Sequence, residues 1–464
     1  MTSGPRRAPR GQATGYDPER AAFWNGPGRR VARRNLLLSV LTEHIGFSVW
    51  SIWSVLVLFM SPRNGLDFTP GEKLLLVVTP TVVGALLRIP YSHAVLRFGG
   101  RTWTVLTTGL LLIPTALTWY FVQRPGTSLW VFLVIAALTG SGGGSFGSSM
   151  TNIARFYPRR HQGWALGVNA GGGNLGVAVV QAVGVVVIAT AGDTSPSLVA
   201  AVYLPLLVLA TLLAAAGMDD LDPGPVPRGV IREGLRQPDT WWICLLYVGT
   251  FGSFIGYGFA FGLVLQAQFG SSALQAASCA VVGPLLGSLA RPLGGRLADR
   301  WGGARVTAAV FVLLSAGTAV LLVASARSSA ALFVTAFTVL FVLTGAGNGA
   351  VYRMIPWVLA RRSHAPGAGA PEPGGAEADA LRAQRLTAAV IGVTGAAGAL
   401  GGAAVNLVFR AAYDRHGSGE PAFWAFLLCY VLCAVVVRVR YLRPDAGPAG
   451  GDPEPVREPE PTHV

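Results

Sequence analysis

Apolar runs long enough to cross a bilayer, about 18 residues or more, recur along the chain between short breaks rich in Gly, Pro and charge. Within hydrocarbon such a run must be helical, because only a helix satisfies all its backbone polar groups internally. The runs predict twelve spans, at about 35–60, 73–97, 103–122, 129–155, 163–190, 196–217, 240–268, 273–297, 304–325, 330–360, 386–412 and 421–442. The expected fold class is therefore all-α and polytopic, with twelve transmembrane helices. An even number of spans puts both termini on one face.

Composition agrees with this reading. The chain is 52% hydrophobic and 12% charged, with a mean hydropathy of +0.50, whereas soluble proteins carry about 25% charged residues. A net charge of +14 raises the question of nucleic acid. However, the basic residues gather in the loops on the side of the termini, among them Arg97, Arg101, Arg155, Arg232, Arg236, Arg300 and Arg305. The opposite loops hold only Arg63, Lys73, Arg124, Arg327, Arg410 and Arg415. Lys and Arg collect in short cytoplasmic loops. Both termini are thus expected in the cytoplasm and the chain in the cytoplasmic membrane, with the lipid bilayer and not nucleic acid as its partner.

The polar, arginine-rich residues 1–34 have no short apolar core or cleavage site, so no secretory signal is expected and the first run reads as a retained span. The chain divides into an N-terminal arm (1–34), a six-helix half (35–217), a linker (218–239), a second six-helix half (240–442) and a tail (443–464). The arm, the tail and a Pro/Gly/Ala-rich loop at 363–380 read as disordered. Cys244, Cys279, Cys429 and Cys433 all lie in apolar segments and read as buried small hydrophobes, not as a disulfide or zinc framework.

The two halves echo one another. Arg88-Ile-Pro followed by Arg97-Phe-Gly-Gly-Arg101 returns 203 residues later as Arg291-Pro-Leu followed by Arg300-Trp-Gly-Gly. Leu138-Thr139-Gly140 returns at Leu343-Thr344-Gly345, an offset of 205, and Leu175-Gly176 at Leu400-Gly401, an offset of 225. Paired six-helix repeats with a site at their interface near the bilayer midplane are the plan of major facilitator transporters. A charge at that depth costs roughly 2.5–3.5 kcal/mol on insertion scales and marks a pathway or site. Arg88 and Arg291, at matching places in two halves, point to one anion held between them.

Glycine fills the fourth, fifth and eleventh spans, where it costs roughly 1 kcal/mol per residue relative to alanine. Gly171, Gly172, Gly173, Gly398 and Gly401 are expected to permit close packing and sliding of helices, and Asn174 beside them needs a hydrogen-bonding partner. Gly295-Arg-Leu-Ala-Asp299-Arg300-Trp-Gly-Gly resembles the superfamily's loop motif after its eighth helix, which implies that Asp299, Arg300 and Arg305 brace helix ends. The first copy has Leu96 where the acid would stand. Arg353 lies about seven residues from the end of its span and reads as a gating or structural group that snorkels to the interface.

The strings Ala85-Leu-Leu-Arg88-Ile-Pro, Asn169-Ala-Gly-Gly-Gly-Asn174-Leu-Gly176, Phe251-Gly-Ser-Phe-Ile-Gly256, Leu289-Ala-Arg291-Pro-Leu-Gly-Gly295 and Gly345-Ala-Gly-Asn348-Gly349-Ala-Val-Tyr-Arg353 resemble the NarK-like nitrate/nitrite porters of the major facilitator superfamily. The resemblance implies that Arg88 and Arg291 clamp the anion, that Asn174 contacts it, and that Tyr247, Phe251 and Phe146 wall the site. The chemistry is sound, since a planar oxyanion matches the fork of a guanidinium bidentately.

Within that family the string Thr42-Glu43-His44 resembles nitrate/proton symporters more than nitrate/nitrite antiporters. Glu43 and His44 are accordingly the proton-coupling candidates. An interfacial pair of Glu43 with Arg33 or Arg34 is the alternative. The partners implied are nitrate, nitrite and the proton, with no cofactor and no metal, in a chain that works as a monomer. A drug exporter fits less well because two arginines suit a small anion, and a non-transporting nitrate sensor would keep the site but show no flux. No nucleophile–base set or metal cluster within the spans suggests an enzyme.

Overall fold

The computed structural model describes residues 12–13, 15–222, 229–363 and 376–442. Among them, twelve helices are long and apolar enough to cross a membrane. They are α1 (Ala21–Phe59), α2 (Pro70–Phe98), α3 (Gly100–Phe121), α4 (Leu129–Phe156), α5 (Arg159–Ala191) and α6 (Ser197–Gly217) in the first half. The second half holds α7 (Pro238–Phe269), α8 (Ala273–Trp301), α9 (Gly303–Ala326), α10 (Ala330–Ser363), α11 (Ala376–His416) and α12 (Glu420–Tyr441). Every expected span has its helix. The chain is a multi-pass membrane protein. Among the described residues, a two-residue parallel bridge joins Gln12–Ala13 to Asp220–Leu221.

Residue chemistry repeats with the halves. Helices α2 and α8 both open on a capping box, Thr69 with Glu72 and Ser272 with Gln275, which satisfies two otherwise unpaired backbone N–H groups at each helix start. Both close on a glycine in the left-handed region, Gly99 at φ +89 and Gly302 at φ +85. Small residues let α4 and α10 close on the arginine-bearing helices. A Cβ on Gly147 would stand 2.4 Å from the carbonyl oxygen of Arg88, and one on Gly349 would stand 2.2 Å from that of Arg291. This makes Gly147 and Gly349 counterparts, 202 residues apart. The echo at 205 is therefore three residues out of structural register, although it matched the right helices. The offset of 225 agrees with the packing: Gly176 meets His44 while Gly401 meets Val248, and Gly173 meets Glu43 and Phe47 while Gly398 meets Tyr247 and Phe251.

The halves join where α2 packs on α11 and α5 on α8. On the face away from the termini they are also tied across α1 and α7, where Gln266 Nε2 donates to the Leu58 carbonyl at 3.3 Å and Trp50 lies edge-on to Phe259 at 5.2 Å.

Two expectations of disorder need correction. The arm is ordered from Tyr16 onward: the Tyr16 hydroxyl donates toward the carbonyls of Gly28 and Phe156 at 2.9 Å each, and Trp24 is buried against Tyr157. An anchored aromatic pair offsets the ordering entropy that composition alone made look prohibitive. The loop at 363–380 is shorter than expected, because Ser363 ends α10 and residues 376–380 open α11; residues 364–375 lie outside the described residues, as does the tail 443–464. The linker contains a short helix, Val230–Arg236, and its start is clamped to α1. There Asp219 Oδ2 accepts from Arg34 Nη2 at 2.5 Å and Asn35 Nδ2 at 2.7 Å, and the Asp219 N–H donates back to Asn35 Oδ1 at 2.9 Å.

Candidate functional site

Arg88 sits on α2 between Pro80 and Pro90 and is 2% exposed. Its Nε donates to the Gly143 carbonyl on α4 at 3.2 Å, and its Nη1 crosses to the other half and donates to the Gly395 carbonyl on α11 at 2.6 Å. Nη2 has no partner. Arg291 on α8 is 7% exposed; its Nη2 reaches the Tyr247 hydroxyl at 3.4 Å, and its Nη1 has no partner. Each guanidinium thus keeps an unsatisfied, buried donor nitrogen. Leaving such a group unpaired costs 1–3 kcal/mol, more for a charge, so both are poised for an acceptor.

Aromatic rings fix where the cations stand. Phe146 lies 4.6 Å from Arg88 Cζ and Trp50 5.9 Å. Phe251 borders both cations, at 5.6 Å from Arg88 and 6.0 Å from Arg291, and stacks on Tyr247 at 5.1 Å. Ring faces attract cations by about 0.5–2 kcal/mol while offering nothing that competes for their N–H groups. Phe251 belongs to a π-helical turn, Val248–Gly252, of a kind frequent at functional sites.

The structure brings Arg88, Arg291, Tyr247, Phe251 and Phe146 together. Asn174 lies on α5, the helix that packs against α8; it is 1% exposed and neither amide atom has a partner. Gly172 packs on Val40, and Gly171 has nothing near it.

Two further residues border the site beyond the expected anion contacts. Tyr352 on α10 has a buried, unpartnered hydroxyl, with its ring 5.3 Å from Arg291 Cζ and 4.8 Å from Tyr247. Gly395 is the second: a Cβ there would lie 3.4 Å from the Tyr352 hydroxyl, 3.7 Å from Arg88 Nη1 and 3.8 Å from Phe146. The available signal for Tyr352 was its position one helical turn after Asn348.

Glu43 is on α1, 2% exposed, with the Ser145 and Ser149 hydroxyls in hydrogen-bonding reach, Arg88 as its charged neighbour, and Oε2 unpartnered. Its alternative pairing with Arg34 is not made, because Arg34 binds Asp219. His44 turns the other way, with Nδ1 3.1 Å from the Gly172 carbonyl on α5. The remaining motif residues stand apart from the arginine pair. Asp299 forms an ion pair with Arg353, both about half exposed, and Arg300 lies over Trp301 at 5.9 Å.

The profile described as Major Facilitator Superfamily matches residues 40–370. The nitrate/nitrite transporter NarU of Salmonella typhimurium is 37% identical, across 92% of this chain and 96% of that one. NarU of Escherichia coli is 35% identical over the same shares. The probable nitrate/nitrite antiporter NarK2 of Thermus thermophilus is 32% identical, across 75% of this chain and 83% of its own length. Among solved structures, a bacterial homologue of the human lysosomal transporter Spinster, in an inward-facing and occupied conformation, aligns with a TM-score of 0.61 at 16% identity over 89% of this chain and 97% of that one. At that identity the likeness speaks for the fold alone. The match in sequence, the twelve helices and the paired arginines lead to one conclusion: this chain belongs to the NarK-type nitrate/nitrite transporter family of the Major Facilitator Superfamily.

Proposed function

We propose that the protein carries nitrate, and nitrite with it, across the cytoplasmic membrane by alternating access. The observation that carries this reading is the pair of buried guanidinium groups from opposite halves, each with an unpartnered nitrogen, flanking the single ring of Phe251. Two cations against one anion leave the empty site repulsive, which favours refilling before the halves rock back. In this reading Arg88 and Arg291 grip the anion in its plane, and Asn174 and the Tyr247 hydroxyl add neutral contacts. Phe146 and Phe251 exclude water, and Arg353 with Asp299 holds the ends of α10 and α8 together. Both termini face the cytoplasm, on the evidence of the basic loops.

The favoured mode is nitrate/proton symport, with Glu43 carrying the proton. Its support is a buried carboxylate beside Arg88, where a change of protonation alters the charge that the anion meets. Nitrate/nitrite antiport is the second reading, favoured by the net positive site and by the name of the Thermus relative. Counterflow in proteoliposomes separates them: symport requires nitrate uptake driven by a pH gradient with no internal nitrite, and antiport requires internal nitrite. A Glu43→Gln variant should lose the pH-driven uptake while keeping nitrate/nitrite counterflow. Full pH-driven uptake by that variant would sink the role given to Glu43.

A further inference from the structure

A small polar cavity opens beside Glu43 within the N-terminal half, between α1, α3 and α4. Its walls carry seven hydroxyls, from Thr42, Thr104, Thr107, Thr108, Ser145, Ser148 and Ser149. At least five of these donate to carbonyls of their own helix: Thr42 to Leu38, Thr107 to Trp103, Ser145 to Gly142, Ser148 to Ser145 and Ser149 to Phe146. With their protons committed at home, the oxygens of Thr42, Thr107 and Ser148 are acceptors toward the cavity, while Ser145 and Ser149 also stand in hydrogen-bonding reach of Glu43 and Ser149 Oγ accepts from Asn169 Nδ2 at 2.9 Å. An acceptor-lined cavity ending on a carboxylate repels an anion and suits protonated water. Its walls come from the first half of α3 and the last half of α4, the parts of those helices nearer the face of the termini. One turn further along α4, Asn152 is 1% exposed and lacks a partner on both amide atoms, which extends the polar file.

The C-terminal half supplies an internal control. The packing counterparts fix the offsets, at 204 residues between α1 and α7, 203 between α3 and α9, and 202 between α4 and α10. Carried over, Thr42 corresponds to Leu246, Thr107 to Val310, Thr108 to Phe311, Ser148 to Ala350 and Ser149 to Val351, all 5% exposed or less. Asn152 corresponds to Met354, and Glu43 itself to Tyr247. Ser145 corresponds to Gly347 and Thr104 to Thr307, whose hydroxyl donates to Met354 Sδ at 3.4 Å, so the second half keeps one of the seven hydroxyls and its packing does not require the other six.

We propose that this cavity is the coupled proton's route, a file of water inside the N-terminal half that joins the terminal face to Glu43 and stays separate from the anion path between the halves. The proposal rests on the symport reading. Charged and titratable groups near Glu43 are few: Arg88 from α2, His44 turned toward α5, and the buried Tyr203 of α6, while the cavity walls on α3 and α4 contribute hydroxyls only.

The test gives the N-terminal half its counterparts' residues, in a Thr107→Val/Ser148→Ala double variant of the full chain, reconstituted in liposomes. Nitrate-coupled proton uptake, followed with an internal pH dye, should fall about tenfold, while nitrate/nitrite counterflow at equal pH stays within about twofold of wild type. A Thr107→Ser variant, which keeps the hydroxyl, should behave as wild type. Unchanged proton uptake in the double variant overturns the route, as does an equal fall in counterflow, which would mean that the hydroxyls only hold the fold. Uptake driven by a sodium gradient in place of a proton gradient overturns it too. If wild type itself takes up no proton with nitrate, the symport reading fails. The route is then judged by infrared spectroscopy, where hydrogen–deuterium exchange of the Glu43 carboxyl must be slower in the double variant than in wild type, and equal exchange refutes it.

Discussion

At the scale of single residues, geometry separates the arginine pair from a pair of mere positive charges. Arg88 spends Nε and Nη1 on the carbonyls of Gly143 and Gly395, which orients the plane of the guanidinium and leaves Nη2 for a ligand. Lysine would keep the charge but could not hold both carbonyls and an oxyanion at once. Arg88→Lys and Arg291→Lys should each weaken nitrate binding by roughly ten- to a hundredfold, the worth of a lost charge-assisted hydrogen bond of about 1.5–3 kcal/mol. Titration of the purified variants with nitrate measures this, and an unchanged affinity would refute recognition by the fork. The arginines were legible in the sequence because a charge in an apolar run is conspicuous. Tyr352 was not, since an aromatic residue in a span carries no mark of its partner until α10 is laid against Arg291.

At the scale of the helices, glycines that look alike in sequence differ in what they face. A Cβ on Gly398 would come within 2.5 Å of the Tyr247 ring and 3.0 Å of Phe251, whereas one on its counterpart Gly173 would make ordinary contacts at 3.5 Å with Glu43 and Phe47. Gly398→Ala must therefore displace the aromatic stack beside Arg291, at about 1–3 kcal/mol of overpacking, while Gly173→Ala should be nearly neutral. Gly171→Ala, which meets nothing within 4 Å, should be neutral or stabilise α5 by up to about 1 kcal/mol. Thermal unfolding and nitrate uptake on the three variants check this order, and equal losses from all three would contradict it. The helices themselves could be read from apolar length. The register between the halves could not, because Leu-Thr-Gly strings align by composition, while the true match of Gly147 with Gly349 is set by which residue touches an arginine carbonyl.

At the scale of the whole molecule, the twofold plan of the backbone is kept while its chemistry is divided: both halves lend an arginine, and the first places Glu43 where the second has Tyr247. The order of the N-terminal arm escaped the sequence reading because its anchor, the Tyr16 hydroxyl on the Phe156 carbonyl, joins residues 140 positions apart. The clamp on Asp219 has a mechanical consequence. Since Arg34 and Asn35 bind that carboxylate and Asp222 accepts from the Gly15 N–H at 3.1 Å, the opening of the linker rides with the first half as part of its rigid body. The helix Val230–Arg236 rides with the second, its Gly234 lying against Leu386 and Val390. The covalent connection from Asp222 to Gly229 can reach no more than about 25 Å at full extension. Removing three residues from 223–228 should slow transport and leave nitrate affinity intact, which uptake and binding assays read separately. The length of that connection, and not the anion site, would then cap how far the two halves can swing apart.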